Sequence, residues 1–433
     1  MRVMRVYHSG RDPAHRSRES GLVDAGVELL LVVPSTWPEL GAATREIKEE
    51  RYSILELPVK RSGNVNRHTY IDQTAITQAV NEYRPDLVDI HEEPVSAVTR
   101  QIVRAIPRHL PLALYSAQNV DKRFPPPFAQ YELAALGRAT AIYPCSRQAA
   151  SVVAGKGYRG LLEVLPLGFD PGIFNPGCQS LDNEVLTLGF VGRLVAKKGL
   201  NDAIQILASV SAYRPCRLLV VGEGPALQEA TELAKHLGVA EQVEHVRWAD
   251  ATTLARLYQS MHVLLVPSRA TDTWVEQFGR VIVEARAAGA VVAGYSSGSI
   301  PEVIGENGLL APEGDAPTLA ASIVQILSSR RWNSLRKASL ESVSSMSWER
   351  IAAKQAALYE AATSFATPPG RPVCGSRPSA RANFGYPAKL GGNDRPFALP
   401  VLRKNTLLAR WLGKCLDMGN HVASRFWSIG ARS

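Results

Sequence analysis

The sequence has no run of about 18 apolar residues, so no membrane-spanning helix is predicted. Its 5 cysteines are scattered, with neither a Cys-x-x-Cys pair nor metal-ligand spacing, and so indicate neither a disulfide framework nor a zinc site. The first residues, MRVMRVYHSGRDP, lack a sustained apolar region and predict a strand instead of a signal peptide. We therefore expect reduced thiols and a cytoplasmic protein.

Most of the chain also lacks net charge. Residues 365–433 hold 11 Lys and Arg but 2 Asp and Glu, which accounts for the whole formal charge of +9. The preceding residues are neutral, and no recognised nucleic-acid-binding module accompanies the basic segment. No nucleic-acid partner is predicted.

The basic segment, residues 365–433, is rich in Pro, Gly and Arg at its start and is predicted to be a largely disordered tail. Residues 403–428 within it carry an amphipathic pattern, with Leu408, Trp411 and Leu412 on one stripe. Two interpretations stay open. The tail is either a disordered basic extension or a membrane-surface helix that contacts anionic lipid, which would place the protein at the inner face of the membrane.

Short β-branched runs alternate with helical stretches through the rest of the chain, which is typical of parallel α/β units. Helices are expected near Pro13, over 69–83 and over 129–136. The alternation pauses over 168–184, which is rich in Gly, Pro and Asn, and then restarts. The pattern predicts two Rossmann-like domains, residues 1–170 and 171–364, facing a cleft.

Ligands in such sheets bind where the loops leave the carboxyl ends of the strands. In the second half these loops contain glycines, cations and the start of a helix. The candidate residues there are Gly192, Arg193, Lys197, Lys198, Gly222, Glu223, Gly224, Phe278 and Gly279. Glycines allow a ligand to approach the backbone, whereas cations and a helix N-terminus attract phosphate.

Two glutamates flank that helix start, Glu276 before it and Glu284 within it. A carboxylate accepts hydrogen bonds from two adjacent hydroxyl groups. If a pyrophosphate lies on the helix N-terminus, Glu276 would bind a sugar beyond it and Glu284 a ribose diol. The spacing therefore predicts a nucleotide-sugar site.

These residues carry a family resemblance. EQFGRVIVEA (276–285) and GRLVAKKG (192–199) resemble the signature segments of the retaining GT-B glycosyltransferases of family 4. SSGSIPEVIGENGLLAP and the last helical stretch, SWERIAAKQAALYEAA, resemble further family segments, so the resemblance covers nearly all of the second half. It implies the GT-B fold, with a C-terminal helix (347–362) that crosses back onto the N-terminal domain.

The resemblance also implies roles. Arg193 and Lys198 would stabilise the leaving diphosphate, Glu276 would orient the donor sugar, and His91 would lie beside the reacting centre. The donor side would further include Gly192, Gly222, Glu223, Gly224, Phe278, Gly279, Arg280 and Glu284. No metal and no cofactor beyond the nucleoside diphosphate sugar are implied.

The first loop, HSGRDPAHRSRESGL, departs from the Gly-Gly turn of many relatives. Ser9, Gly10 and Arg11 are the candidates there for the acceptor side. Asn119 and Ser146, in segments that also resemble the family, are candidates for the cleft wall.

The implied reaction moves a sugar to a hydroxyl acceptor, with cell-surface polysaccharide or glycolipid synthesis as one setting. The alternatives are a GT-B epimerase or phosphorylase and a catalytically degenerate sugar-nucleotide-binding protein. A nicotinamide-dependent oxidoreductase would need the G-x-G-x-x-G pattern, and VGEGPAL lacks its third glycine.

Overall fold

Two parallel sheets organise the chain, and helices connect their strands. The computed structural model describes residues 1–38, 50–181, 185–328 and 331–365. Among these residues, no helix is both long enough and apolar enough to cross a membrane. The predicted tail, with its amphipathic helix at 403–428, lies outside the described residues apart from Phe365.

The first domain is built on a seven-stranded sheet of order β3-β2-β1-β6-β7-β8-β9, with every neighbouring pair parallel. A short antiparallel pair, β4 and β5, stands beside it. The elements are β1 Arg2–Val6, α1 Ser17–Asp24, β2 Glu28–Pro34, β3 Ser53–Leu57, β4 Val59–Lys60, β5 Thr69–Tyr70, α2 Gln73–Tyr83, β6 Leu87–Ile90, α3 Ala97–Ala105, β7 Leu112–Ser116, α4 Phe128–Leu136, β8 Ala141–Pro144, α5 Arg147–Gly155 and β9 Leu161–Leu162.

The second domain is built on a six-stranded parallel sheet of order β12-β11-β10-β13-β14-β15. Its elements are β10 Leu186–Val191, α6 Leu200–Ser211, β11 Cys216–Val221, α7 Ala226–His236, β12 Val243–Val246, α8 Ala251–Ser260, β13 Val263–Val266, α9 Arg280–Ala287, β14 Val291–Tyr295, α10 Ile300–Ile304, β15 Leu309–Ala311, α11 Ala316–Ser328, α12 Arg331–Val343 and α13 Trp348–Ser364. The order reverses between β10 and β13, which is where such sheets bind ligands.

Helices cover both faces of each sheet. The central strands are therefore continuous apolar runs and do not alternate between apolar and polar residues. Six of the seven residues of β2, ELLLVVP, are buried, and all of β13, VLLV, is buried. Separate apolar clusters lie on the two faces of each sheet.

Some boundaries differ from those expected. The predicted helix at 69–83 begins only at Gln73, because the Asp72 carboxylate caps it by accepting from the Thr74 amide at 2.8 Å. Thr69 and Tyr70 instead pair with β4. The loop after β1 forms two short 3₁₀ turns, His8–Arg11 and Pro13–His15, before α1 begins at Ser17.

Helix α13 returns the chain to the first domain. The Trp348 amide donates to the Phe169 carbonyl at 2.9 Å, so the two segments of chain that join the domains lie side by side. From there α13 packs against α1, where a Cβ on Gly21 would stand 2.9 Å from the Ala352 Cβ. The close approach of the two helices thus depends on a glycine.

A buried polar network ties α13 to the sheet. The Arg5 guanidinium, fully buried on β1, pairs with Glu19 of α1 and Asp89 of β6. Asp89 also accepts from the Tyr143 hydroxyl at 2.6 Å and the Tyr359 hydroxyl at 2.7 Å. A buried charge is tolerated only when it is paired in this way, so the network fixes where the last helix docks.

Candidate active site

The loops at the carboxyl ends of both sheets meet between the domains. Lys198 and Glu276, which are 78 residues apart in the sequence, form an ion pair there, with 2.5 Å between Nζ and Oε2. The same carboxylate oxygen accepts from the Ser268 hydroxyl at 3.1 Å. Lysine has three N–H donors, so Lys198 keeps two for another ligand.

Lys198 closes a 3₁₀ turn, Ala196–Lys198, that ends at Gly199 with φ of +76°. A Cβ on Gly199 would stand 2.0 Å from the Pro267 carbonyl oxygen, so only glycine lets the loop after β10 press against the loop after β13. This contact is what brings the lysine next to the segment that carries Glu276.

The predicted glycines of the donor side lie in neighbouring turns after β10 and β11. The φ values of Gly192, Gly222 and Gly224 are +139°, +136° and +154°. A Cβ on Gly222 would stand 1.9 Å from the Gly192 carbonyl oxygen, whereas the space beside Gly192 itself is open within 4 Å. The turns therefore stack on each other and leave room for a ligand at Gly192.

Two predicted charged residues of these turns lie at the surface. Arg193 is exposed, and its side chain makes no hydrogen bond or ion pair within the described ranges. Glu223 pairs with Arg247, with 2.5 Å between Glu223 Oε1 and Arg247 Nε. Arg193 is thus available to a ligand, whereas Glu223 is already engaged.

Helix α9 begins one residue later than the sequence indicates, at Arg280, with Gly279 as its N-cap at φ of +81°. Phe278 is buried in the apolar cluster beneath. The first amides of the helix lack intrahelical partners, which suits an anion.

Glu284 is buried, and both of its oxygens are bonded. Oε1 pairs with Arg280 Nε at 2.9 Å, and Oε2 accepts from the Tyr258 hydroxyl at 3.3 Å. Burial raises the pKa of Glu284, against the opposing effect of Arg280. Glu284 in turn raises the pKa of Arg280. A ribose diol would have to share the Glu284 oxygens, which keep unused lone pairs.

His91 follows β6 and lies in an aromatic cluster. Its ring contacts Tyr7 at 4.6 Å and Tyr115 at 4.1 Å between centroids, and Nδ1 lies 3.1 Å from the Tyr143 hydroxyl. Burial, with help from the nearby Arg5 and Arg18, lowers the pKa of His91 well below its usual value. The imidazole is therefore neutral and acts as a hydrogen-bonding group instead of a cation.

The three predicted residues of the first loop have different surroundings. Ser9 lines a cavity of about 220 Å³ between the domains, as does His91. Gly10 is buried, and its carbonyl accepts from Arg16 Nε at 2.6 Å. Arg11 pairs with Glu56 at 2.5 Å. Of the three, Ser9 alone faces the cavity.

Asn119 and Ser146, the candidates for the cleft wall, bond to the second domain and are not among the residues that line this cavity. Asn119 Nδ2 donates to the Glu276 carbonyl at 2.8 Å, and Ser146 Oγ accepts from the Ser299 hydroxyl at 3.1 Å. Both side chains are buried. Their small polar groups satisfy backbone and hydroxyl groups of the second domain, and Asn119 holds the backbone of Glu276 in place.

Sequence reasoning missed Trp274 and Arg18. The Lys197 ammonium lies 4.1 Å and the Lys198 ammonium 5.3 Å from the centre of the Trp274 ring, an attractive cation–π contact for both. Burial, with Arg193 and Lys198, lowers the pKa of Lys197. An aromatic residue shortly before Glu276 was the available signal, whereas nothing in the sequence distinguished Arg18 from its neighbours in a basic loop.

Within the described ranges, no group of three or more His, Cys, Asp and Glu side chains is placed to hold a metal ion. The groups that could bind a phosphate are the cationic side chains of Arg193 and Lys198 and the first backbone amides of α9.

Comparison with known proteins finds relatives in sequence and in fold. Residues 179–341 match the family described as Glycosyl transferases group 1. The D-inositol 3-phosphate glycosyltransferase of Segniliparus rotundus is 30% identical over 216 residues, 46% of this chain and 47% of that protein. The 2-deoxystreptamine glucosyltransferase of Streptomyces kanamyceticus is 27% identical over 286 residues, 58% of this chain and 72% of that protein. For the first relatives of this kind, the match spans about half of the relative's length.

Solved structures match over both domains. Sucrose-phosphate synthase from Thermosynechococcus elongatus superposes with a TM-score of 0.63 at 20% identity, covering 83% of this chain and 98% of the other. Anabaena Alr3699/HepE in complex with UDP and glucose gives 0.63 at 17%, covering 83% and 100%. The predicted GT-B fold and the predicted resemblance to group 1 glycosyltransferases are both confirmed.

Proposed function

We propose that this chain, with a GT-B fold and the group 1 pattern in its second domain, transfers a sugar from a nucleoside diphosphate sugar to a hydroxyl acceptor. We further propose that the anomeric configuration is retained. The observation that carries the proposal is the ion pair of Lys198 and Glu276 between the two sheets. The ion pair brings the two signature segments together at the carboxyl edge of the second sheet, where Asn119 of the first domain donates to the Glu276 carbonyl.

The diphosphate would lie between Lys198, Arg193 and the first amides of α9. When the bond between the anomeric carbon and the phosphate oxygen breaks, its electron pair stays on that oxygen. Cations and aligned amides stabilise the developing charge. The open space beside Gly192 supports this placement, since the phosphates can approach the backbone there.

Glu276 would orient the donor sugar by accepting hydrogen bonds from its hydroxyl groups. The acceptor oxygen then attacks from the face that the diphosphate leaves, and its proton passes to the departing phosphate oxygen. His91, which is neutral, would contact the sugar or the acceptor from the first domain. The cell-surface setting and the cytoplasmic location are proposals from the sequence that share this premise.

The test combines ligand binding with turnover. We would titrate the full chain calorimetrically with UDP, GDP, ADP, TDP and NAD, and then assay transfer from the sugar donors of the nucleotide that binds. Proton NMR of the product reports whether configuration is retained. Binding of NAD alone would contradict the proposal.

Lys198→Ala and Glu276→Gln variants test the assigned residues. Loss of one group that stabilises transition-state charge costs about 10²- to 10³-fold in turnover. Lys235→Ala is the matched control, because Lys235 forms an exposed ion pair with Glu232 on α7 of the same domain. Full turnover in both Lys198→Ala and Glu276→Gln would refute the assignment.

A further inference from the structure

The cavity between the domains contains a cation without a partner. Arg18, in the first turn of α1, is 3% exposed and lines this cavity. Its Nε, Nη1 and Nη2 atoms are all buried, and none has a hydrogen-bond partner in the described structure. A buried guanidinium normally binds a carboxylate or a phosphate, because an unpaired buried charge is strongly unfavourable.

The other two guanidinium groups of the cavity wall each have a carboxylate partner. Arg5 is held by Glu19 and Asp89, and Arg280 is held by Glu284. Arg18 has only aromatic contacts, with the Tyr143 ring at 5.2 Å and the Trp348 ring at 5.6 Å. These rings hold the guanidinium in place but satisfy none of its five N–H donors.

Three further buried polar atoms of the same wall also lack a partner: Arg5 Nη2, the Glu19 oxygen Oε2 and a histidine nitrogen. His15, from the loop before α1, has a buried Nδ1 without a partner. Ser9 and His91 line the cavity as well, whereas Lys198 and Glu276 do not. The cavity therefore borders the proposed diphosphate site at Arg280, the first residue of α9, and extends from there to His91 in the first domain.

We propose that the acceptor carries an oxyanion, a phosphate or a carboxylate group, and that Arg18 binds it in this cavity. The guanidinium fork matches two oxygens of either group, and the cavity of about 220 Å³ holds one such group with part of the molecule that bears it. Naming the oxyanion as part of the acceptor rests on the proposed function; the anion site itself does not.

The competing explanation is structural. Arg5, Glu19 and Asp89 together carry one net negative charge, which Arg18 would balance from a distance while stacking on its two rings. Under that explanation, replacing Arg18 lowers stability but leaves anion binding unchanged. Anion affinity therefore separates the two explanations.

The experiment measures the affinity of inorganic phosphate, and separately of acetate, for the full chain by calorimetry. A saturating concentration of whichever nucleoside diphosphate binds is present throughout, so that phosphate cannot occupy the donor site. Arg18→Gln removes the charge, Arg18→Lys keeps it without the fork, and Arg104→Gln on α3 is the control because Arg104 is exposed in the same domain.

We expect wild type and Arg104→Gln to bind phosphate equally and Arg18→Gln to bind it at least about tenfold more weakly, since a hydrogen bond to a charged group is lost. Arg18→Lys should be intermediate and would report on the site if Arg18→Gln fails to fold. Tighter binding of phosphate indicates a phosphate-bearing acceptor; tighter binding of acetate indicates a sugar acid.

Equal phosphate affinity in wild type, Arg18→Gln and Arg18→Lys would overturn the proposal, as would the absence of anion binding to the wild type. If anion binding depends on Arg18 but no nucleoside diphosphate binds, the proposed function fails while the anion site stands. If a nucleoside diphosphate binds but anion binding does not depend on Arg18, the anion site at Arg18 is refuted while the proposed function stands.

Discussion

Gly298→Ala should disrupt the position of Glu276 without touching its side chain. Gly298, between β14 and α10, has φ of +54°, and a Cβ there would stand 2.4 Å from the Glu276 carbonyl oxygen and 2.9 Å from its nitrogen. That oxygen accepts from the Ser299 amide at 2.9 Å and from Asn119 at 2.8 Å. The methyl group must therefore displace the residue that both domains hold.

The expected loss of unfolding free energy in Gly298→Ala has three contributions. A left-handed backbone costs a non-glycine residue about 1–2 kcal/mol. Overpacking a tight site adds about 1–3 kcal/mol. Weakening two buried hydrogen bonds adds about 0.5–1.5 kcal/mol each. Because the loop relaxes, these do not add in full, and we expect a loss of about 2–5 kcal/mol of unfolding free energy.

Gly238→Ala is the matched control. Gly238 follows α7 in the same domain with φ of +72°, but nothing lies within 4 Å of its would-be Cβ. Gly238→Ala should therefore lose only the unfolding free energy that comes from placing alanine in a left-handed backbone conformation. Thermal unfolding gives stability, at about 2–4 °C per kcal/mol for a domain of this size. Donor turnover in the same variants detects displacement of Glu276 that costs little stability. If Gly298→Ala equals Gly238→Ala in both measurements, the steric argument is wrong.

Three further predictions concern other parts of the molecule. Burial, with Arg280, lowers the pKa of His15 to about 4, so the unfolded chain takes up a proton first as pH falls. Unfolding free energy should therefore decrease between about pH 6.5 and 4, by up to about 1.4 kcal/mol per pH unit for this histidine, as measured by urea titration. His15→Asn should flatten that slope more than the exposed control His236→Asn does. Gly21→Leu should lower the unfolding free energy by about 1–3 kcal/mol, because the larger side chain overpacks the contact of α1 with α13. Gly155→Leu should not, because nothing lies within 4 Å of a Cβ at Gly155. Equal urea midpoints for the two variants would contradict this prediction. Finally, deleting residues 366–433 should abolish co-sedimentation with anionic vesicles, and unchanged binding would leave the tail a basic extension.

The sequence was sufficient for the features that depend on local pattern. Apolar runs identify strands buried on both faces, and the spacing around Phe278–Gly279 identifies a helix start with flanking carboxylates. That Lys198 and Glu276 lie at one edge of one sheet was predicted, because both belong to loops that follow its strands; their direct ion pair was not.

Other features depend on packing that spacing does not encode. The lack of partners around Arg18 follows from how Arg5 takes both nearby carboxylates, and the placement of Asn119 follows from how the two domains meet. Asp72 caps α2, and pairing with β4 keeps Thr69 and Tyr70 outside the helix despite the helical pattern of the sequence. Such outcomes are decided by competition among neighbours, which only the folded chain reveals.

The paired crossing of Phe169 beside Ser347 and Trp348 has a mechanical consequence. Because both segments that connect the domains cross at the same place, they would act together as one hinge. Such a hinge permits the domains to move apart but resists rotation of one domain about the axis of a single connecting segment. Such a swing must break the hydrogen bond from Asn119 to the Glu276 backbone. A ligand would then enter while the domains are apart, and Glu276 would be aligned when the domains close and the hydrogen bond from Asn119 forms again.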